Sequence, residues 1–193
     1  MVNDDTKLML QIKQGDRAAF KQLVEKHKLS ILNLCLRFTG NKEDAEDLAQ
    51  DIFIKIFQAA PRYEPRALFT TWLYRIAINQ CLNYQRRKKL LTFFSLDNNH
   101  HKERQEIKQI NNLPMSEQPD FDLEQRERQR IVQDAINSLP ENQKTVVILY
   151  RYHNLSYQEI ADILETSVSA VESRLHRAKL NLKKRLAPLL KEI

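Results

Sequence analysis

Arg75, Asn79, Asn83 and Arg86 recur at spacings of four, four and three residues, which puts two guanidiniums and two amides on one face of a helix. Asparagine can bond a base edge bidentately and arginine can hold a phosphate or a guanine, so this ridge suits nucleic acid. It runs into a knot of positive charge made by Arg86, Arg87, Lys88 and Lys89. Just upstream, Arg62 and Arg66 alternate with Tyr63, Phe69, Trp72 and Tyr74, and aromatic plus basic side chains are the materials that grip unstacked bases. Phe69 and Trp72 read more simply as core, which leaves Arg62, Arg66, Tyr74 and the ridge as candidates.

A second candidate lies at 156–179. Ser156 followed by Glu159 predicts a capping box, in which the hydroxyl accepts from an orphan amide of the first turn and the carboxylate reaches back. The helix it opens is expected to bury Ile160, Ala161 and Leu164. A turn at Glu165 and Thr166 leads to Ser167, the cap of another helix whose inner stripe is Val171, Leu175, Ala178 and Leu182. Ser169, Glu172, Ser173, His176 and Arg177 then face outward. This is the layout of a helix-turn-helix, in which the second helix meets base edges and neighbouring cations meet phosphates. From Arg174 to Lys191 there are seven basic residues and no acidic one. For either basic cluster taken singly, a solvated helix face is the plain alternative.

Between 45 and 57 the apolar residues fall at 45, 48, 49, 52, 53, 56 and 57, the spacing of one helix stripe. The opposite face carries Asp47, Gln50, Asp51, Ile54 and Gln58. An acidic face with one exposed aliphatic side chain fits a helix that docks on a basic partner, although an ordinary acidic surface reads the same way. Catalysis finds no support. None of the five histidines sits in a His-Glu-x-x-His, Gly-x-Ser-x-Gly or phosphate-loop context, and adjacent His100 and His101 make a poor metal pair. No catalytic residue, metal or cofactor is expected.

The elements that must position these residues are helical. Only two glycines occur in 193 residues, which argues against a β fold rich in tight turns and for an all-α chain. Helices are expected near 5–14, from Asp16 to Gly40, from Asn41 to Pro61 and over 68–89, the last burying Phe69, Trp72, Leu73, Ile76 and Ala77. Asparagine, glutamine, histidine and proline replace the pattern from about 91 to 120, which reads as a linker. Its apolar start, Leu90, Leu91, Phe93, Phe94 and Leu96, suggests that part of it packs on a domain or a partner. A further helix with Leu123, Ile131, Ala135 and Ile136 ends at Leu139, and Pro140 takes a first-turn position in the next, which runs to about 152. Two small helical domains joined by a flexible linker result. Cys35 and Cys81 lie in apolar patterns, as buried free thiols of a reducing cytosol would. No apolar run approaches the roughly 18 residues of a membrane span, so a cytoplasmic protein without direct membrane insertion is expected.

Taken in order, these stretches resemble one family. Gly15-Asp16 with Ala19-Phe20 and Leu23, the run from Ala45 to Lys55, the run from Thr71 to Asn79 with Asn83 and Arg86-Arg87, Leu139-Pro140-Glu141-Asn142-Gln143, Leu155 to Ala161 and Val171 to Lys179 together resemble an extracytoplasmic-function (ECF) sigma factor. These are the compact two-domain specificity subunits of bacterial RNA polymerase. The resemblance implies that 1–90 is sigma region 2, 91–120 a linker and 121–193 sigma region 4. It implies that Asp47, Gln50, Asp51 and Ile54 dock on the coiled-coil clamp of core RNA polymerase. The loop from Arg62 to Thr70 would capture a base flipped from the non-template strand, while Tyr74, Arg75, Asn79, Asn83, Arg86 and Arg87 serve the −10 element. Ser169, Glu172, Ser173, Arg174, His176 and Arg177 would serve the −35 element of promoter DNA. An anti-sigma factor is a further expected partner.

Two departures bear on that transfer. Many family members carry Gly-Thr-Val followed by Lys or Arg where this chain has Ser169-Ala170-Val171-Glu172, and a carboxylate cannot hold a phosphate. Loop 62–70 also lacks the small Gly and Ser pattern common there. A stand-alone helix-turn-helix regulator is the alternative, and its first domain would need a ligand pocket or a dimer surface in place of a docking face and a basic ridge.

Overall fold

The computed structural model describes residues 4–95 and 119–187, with side chains at 4–92 and 127–187. The chain forms two compact units divided between Gln109 and Ile110. In the first, α1 (Asp4–Lys13), α2 (Arg17–Thr39), α3 (Lys42–Ala59), a 3₁₀ turn (Ala60–Arg62) and α4 (Phe69–Ser95) follow one another. Each junction has a local cause. Asp16 caps α2 by accepting from the amides of Ala18 and Ala19 at 2.8 and 3.1 Å. Gly40, at φ +81°, ends α2 in the left-handed conformation that a side chain would strain, and its amide donates to the Leu36 carbonyl. Asn41 then caps α3 by accepting from the Asp44 amide at 2.7 Å.

The core of this unit is built from Leu23, Ile31, Leu34 and Cys35 of α2, Leu48, Ile52 and Ile56 of α3, and Phe69, Leu73, Ile78 and Cys81 of α4, all nearly or fully buried. Each large side chain so buried contributes about 1.5–3 kcal/mol. Both cysteines are free, as expected. Phe57 departs from the expected stripe. It lies at the edge, 42% exposed, resting on Phe20 at 4.9 Å between ring centroids. Trp72 and Ile76 are half-buried, whereas Tyr74 and Ile78 go inside. Asp5 of α1 is buried at the α1–α2 seam, with Lys26 Nζ donating to it at 2.5 Å. His27 Nε2 stands 3.3 Å from the same carboxylate without hydrogen-bond alignment.

Helix α4 continues to Ser95, through residues expected to begin the linker. Leu90 and Leu91 are therefore helical and exposed, 57% and 69%. The side chains of Phe93, Phe94 and Leu96 lie outside the described residues.

The second unit comprises α5 (Pro119–Asn137), α6 (Glu141–His153), α7 (Tyr157–Leu164) and α8 (Val168–Leu186). Pro140 sits one position earlier than expected, as the residue preceding α6, with extended ψ 144°. The side chain of Leu123 lies outside the described ones. Asn154 and Glu165, at φ 52° and 50°, end α6 and α7 in left-handed conformations, the usual way to stop a helix where no glycine is present. Ile160, Ala161 and Ile163 of α7 pack against Val171, Leu175 and Ala178 of α8 and Val146, Ile148 and Leu149 of α6. Leu164 and Leu182, expected inside, are half-buried, and Ile163 takes the inner place. Among the described residues no helix is long and apolar enough to cross a membrane.

Asp44 joins α3 to α4 on the first unit. Its carboxylate accepts from Asn41 Nδ2 and the Tyr84 hydroxyl, and Lys88 Nζ stands 3.7 Å away. Burial alone would raise its pKa. The hydrogen bonds from Tyr84 and Asn41 and the charge of Lys88 outweigh that and hold Asp44 below the usual carboxylate range. A depressed native pKa gives stability that is present above the unfolded value and lost as pH falls through the native one. Asp44→Asn is therefore expected to lower the urea midpoint at neutral pH and to flatten its fall under acid, below the ordinary aspartate pKa of 3.8. An unchanged urea midpoint from neutral pH to pH ~3 would show that this joint carries no net stability.

Candidate nucleic-acid interface

The ridge read from the sequence divides in two. Asn79, Asn83, Arg86 and Arg87 are exposed along one side of α4, as the spacing requires. Lys88 of the basic knot turns away toward Asp44 and lies 5.9 Å from the Tyr84 ring centroid. Arg75 is half-buried and joins a different group. It lines a cavity of about 390 Å³ with Arg62, Glu64, Arg66, Thr71 and Trp72. The volume falls within the range of small-ligand sites, about 300–1,000 Å³.

The cavity is made from the first turns of α4 and the loop before it. Pro61 takes a first-turn position in the 3₁₀ turn that ends at Arg62, and Pro65 disfavours helix in the following 63–68. Lys13 Nζ pins this loop to α1 by donating to the Tyr63 carbonyl at 3.1 Å. Behind the wall, Tyr63 meets Trp72 edge-on at 5.1 Å and Phe69 at 6.4 Å, and Phe69 meets Trp72 at 5.9 Å. Such pairs hold ring orientation as well as burying area. Trp72 is thus not the core residue the sequence suggested, but a half-buried wall braced by two buried rings. Arg66 sits on Glu64, with Nε 2.8 Å and Nη2 2.6 Å from Oε2.

Tyr74 is a correction. Although it was expected among the exposed DNA contacts, it is 8% exposed and its hydroxyl bonds Ser30 Oγ at 2.7 Å. Burial pushes its pKa up, with the Ser30 bond acting the other way. The ring faces α2 because positions 73, 74, 77, 78 and 81 all point into the core. Conversely, Glu64 and Thr71 line the cavity without having been singled out from the sequence. A glutamate between two arginines was the available sign, and the helical phase of Thr71 was not visible before α4 was placed.

On α3, Asp47, Gln50, Asp51, Ile54 and Gln58 are exposed, Ile54 by 53%, and Phe57 extends the apolar part of that surface. In the second unit the capping box is formed as expected. Ser156 Oγ accepts from the Glu159 amide, while the Glu159 carboxylate accepts from the Ser156 hydroxyl at 2.7 Å and the Ser156 amide at 2.8 Å, and those two bonds to the carboxylate hold the Glu159 pKa down. Ser167 caps α8 by accepting from the Ala170 amide at 3.2 Å. Ser169, Glu172, Ser173, His176 and Arg177 are all exposed on α8, at the spacing of one helix face, while Arg174 is half-buried on its flank. Arg177 Nε donates to the Ser173 carbonyl at 3.2 Å.

Comparison with known proteins matches both units. Residues 23–90 match the model of Sigma-70 region 2, and residues 129–182 that of Sigma-70, region 4. The chain is 34% identical over 192 residues to the RNA polymerase sigma-H factor of Pseudomonas aeruginosa, covering 97% of this chain and 96% of that one. It is also 34% identical over 190 residues to the ECF RNA polymerase sigma factor SigW of Bacillus subtilis, covering 95% and 97%. Among solved structures, CnrH in complex with the cytosolic domain of CnrY has the same fold, with a TM-score of 0.69 and 24% identity over 96% of this chain and 99% of that chain. RpoE in complex with the anti-sigma factor NepR from Bartonella quintana aligns with a TM-score of 0.62 and 21% identity, over 87% and 96%.

The position of Tyr74 has a measurable consequence. Tyr74→Phe is expected to cost about 0.5–1.5 kcal/mol in chemical denaturation by removing the bond to Ser30, and to leave nucleic-acid affinity unchanged. A tenfold loss of affinity in a folded variant would return Tyr74 to the interface.

Proposed function

This chain belongs to the ECF class of the sigma-70 factors, the subunits with which bacterial RNA polymerase recognises promoters and initiates transcription, and we propose that it does so through three separate surfaces. Asp47, Gln50, Asp51 and Ile54 of α3 dock core RNA polymerase. Their exposed carboxylates orient a basic partner helix and Ile54, beside Phe57, supplies apolar area. The cavity from Arg62 to Arg75 receives one base extruded from the non-template strand at −10. Asn79, Asn83, Arg86 and Arg87 hold the strand around it. The exposed face of α8 enters the −35 major groove, with Ser169, Glu172, Ser173, His176 and Arg177 toward the bases and Arg174 toward the backbone.

The observation that carries the −10 reading is the juxtaposition of a braced Trp72 with Arg62, Arg66 and Arg75 around one cavity at the start of the α4 ridge. Extruding a base costs a few kcal/mol, and stacking on an aromatic ring returns about 1–3 kcal/mol. The neighbouring cations supply the remainder through phosphate contacts. Glu172 changes the −35 contact in kind. A carboxylate accepts from a cytosine amino group and repels phosphate, so this position reads a base or orients a neighbouring arginine.

The reading extends to setting and partners. The chain acts in the cytoplasm, where polymerase and promoter DNA are, and has no catalysis, metal or cofactor of its own. The two similar folds described with CnrY and NepR support a regulatory anti-sigma factor as the partner that withholds it from polymerase.

Run-off transcription with core polymerase from the same organism, followed by sequencing of start sites, tests the whole. Defined starts that depend on this chain are expected, and failure to associate with core polymerase would overturn the reading. Asp51→Arg should abolish that association in a normally folded protein, whereas normal assembly by the variant would remove α3 as the docking face. Arg177→Ala should weaken −35 duplex binding by about 1–3 kcal/mol, and an unchanged footprint would take Arg177 off the interface.

A further inference from the structure

Among the described residues, Glu64 is the only carboxylate lining a cavity whose other charged groups are Arg62, Arg66 and Arg75. Guanidiniums donate hydrogen bonds and accept none. A cavity equipped with arginines alone would favour the base richest in carbonyl acceptors, which is thymine. Glu64 inverts that balance at one point, since a carboxylate accepts and does not donate.

Its placement is set by its neighbours. The Arg66 amide donates to the Glu64 carbonyl at 2.8 Å, a tight turn that brings the two side chains together. Both contacts of the Arg66 guanidinium fall on Oε2. Oε1 has no hydrogen-bond partner among the described residues, and Glu64 lines the cavity together with Trp72, so the site offers both an acceptor and a ring on which a base can stack.

We propose that Glu64 makes this cavity selective for a base with an exocyclic amino group, accepting cytosine and disfavouring thymine. The amino group donates to Oε1 while the arginines donate to the carbonyl on the same ring. Thymine places a carbonyl where cytosine has its amino group, and two acceptors then face each other with no proton between them. The discrimination lies at the low end of that for a specific base contact, because the Glu64 side chain is 59% exposed and water competes for it. About a five- to tenfold preference is expected.

The inference rests on the reading of the cavity as a base-capture site, and one experiment separates the two. Holoenzyme is bound to promoters with a pre-melted −10 bubble, in which each non-template nucleotide is made abasic in turn. A single position whose loss weakens binding marks the captured base. At that position deoxycytidine is exchanged for deoxyuridine, which changes the amino group to a carbonyl on an otherwise similar ring. Wild type should bind the cytosine probe about five- to tenfold more tightly. Glu64→Ala should bring the ratio to within about twofold of one, and Glu64→Gln should bring it there or invert it, because an amide both donates and accepts. If no abasic position weakens binding, the base-capture reading itself fails. If one does, but wild type treats the two probes alike, or either variant keeps the full wild-type preference, capture stands and Glu64 is not its selector.

Discussion

Helix α4 has to be two things at once, a core helix and a basic surface, and the first unit depends on keeping those faces apart. Leu73, Ala77, Ile78 and Cys81 bind it to the core, which sets its rotation about its own axis. Once that rotation is set, Asn79, Asn83, Arg86 and Arg87 have no choice but to face solvent. The polar contacts around Asp44 hold the far end of the same helix, where apolar burial thins out. Tyr84 and Lys88 reach back to α3, and Gln85 donates to the Phe38 carbonyl on α2 at 3.1 Å. A basic helix end is thereby tied to two neighbours.

The same rotation determines the cavity. With Phe69 buried, Trp72 falls three positions later at the margin of the core, and the loop braced by Tyr63 closes over it. A 3₁₀ turn containing Pro61 and a non-helical stretch containing Pro65 make up this segment, so its arginines gather around a concavity instead of spacing out along a stripe. In the proposed capture of an extruded base, aromatic support behind a cationic rim would put the stacking partner already in place and so lower the ordering cost. The surfaces proposed for docking and for DNA contact then occupy different faces of the same small unit. The α3 surface is acidic and apolar, the α4 surface is basic and amide-bearing, and the half-buried Asp44 joint ties the two helices together.

The second unit solves a similar problem with local chemistry. Helix α7, at 8 residues, is too brief to be stable alone, since isolated helices below about 12–15 residues are marginal in water. The Ser156–Glu159 box and the Ser167 cap meet the orphan amides at each start, and Ile160, Ile163, Val171 and Leu175 bury the shared face. The α8 face is left with small hydroxyls, one carboxylate, one imidazole and a guanidinium, a set able to distinguish bases as well as bind phosphate.

Caps, stops and the periodicity of α3 and α8 were legible from residues alone, because they arise from interactions within a few positions of each other. So were the exposed rows Asp47 to Ile54 and Ser169 to Arg177, and the order of motifs was enough to indicate the family. What depended on packing was not legible. Tyr74 and Trp72 exchange their expected places, Leu164 yields to Ile163, and Phe57 comes to the surface, since an aromatic or aliphatic side chain beside an apolar stripe goes in or out according to what lies opposite. Helix α4 likewise runs on past Lys89, because helix propensity can continue where core contacts stop. The cavity, and with it Glu64, exists only once the loop folds over the first turns of α4, for no sequence pattern states which residues of a proline-bounded loop will converge.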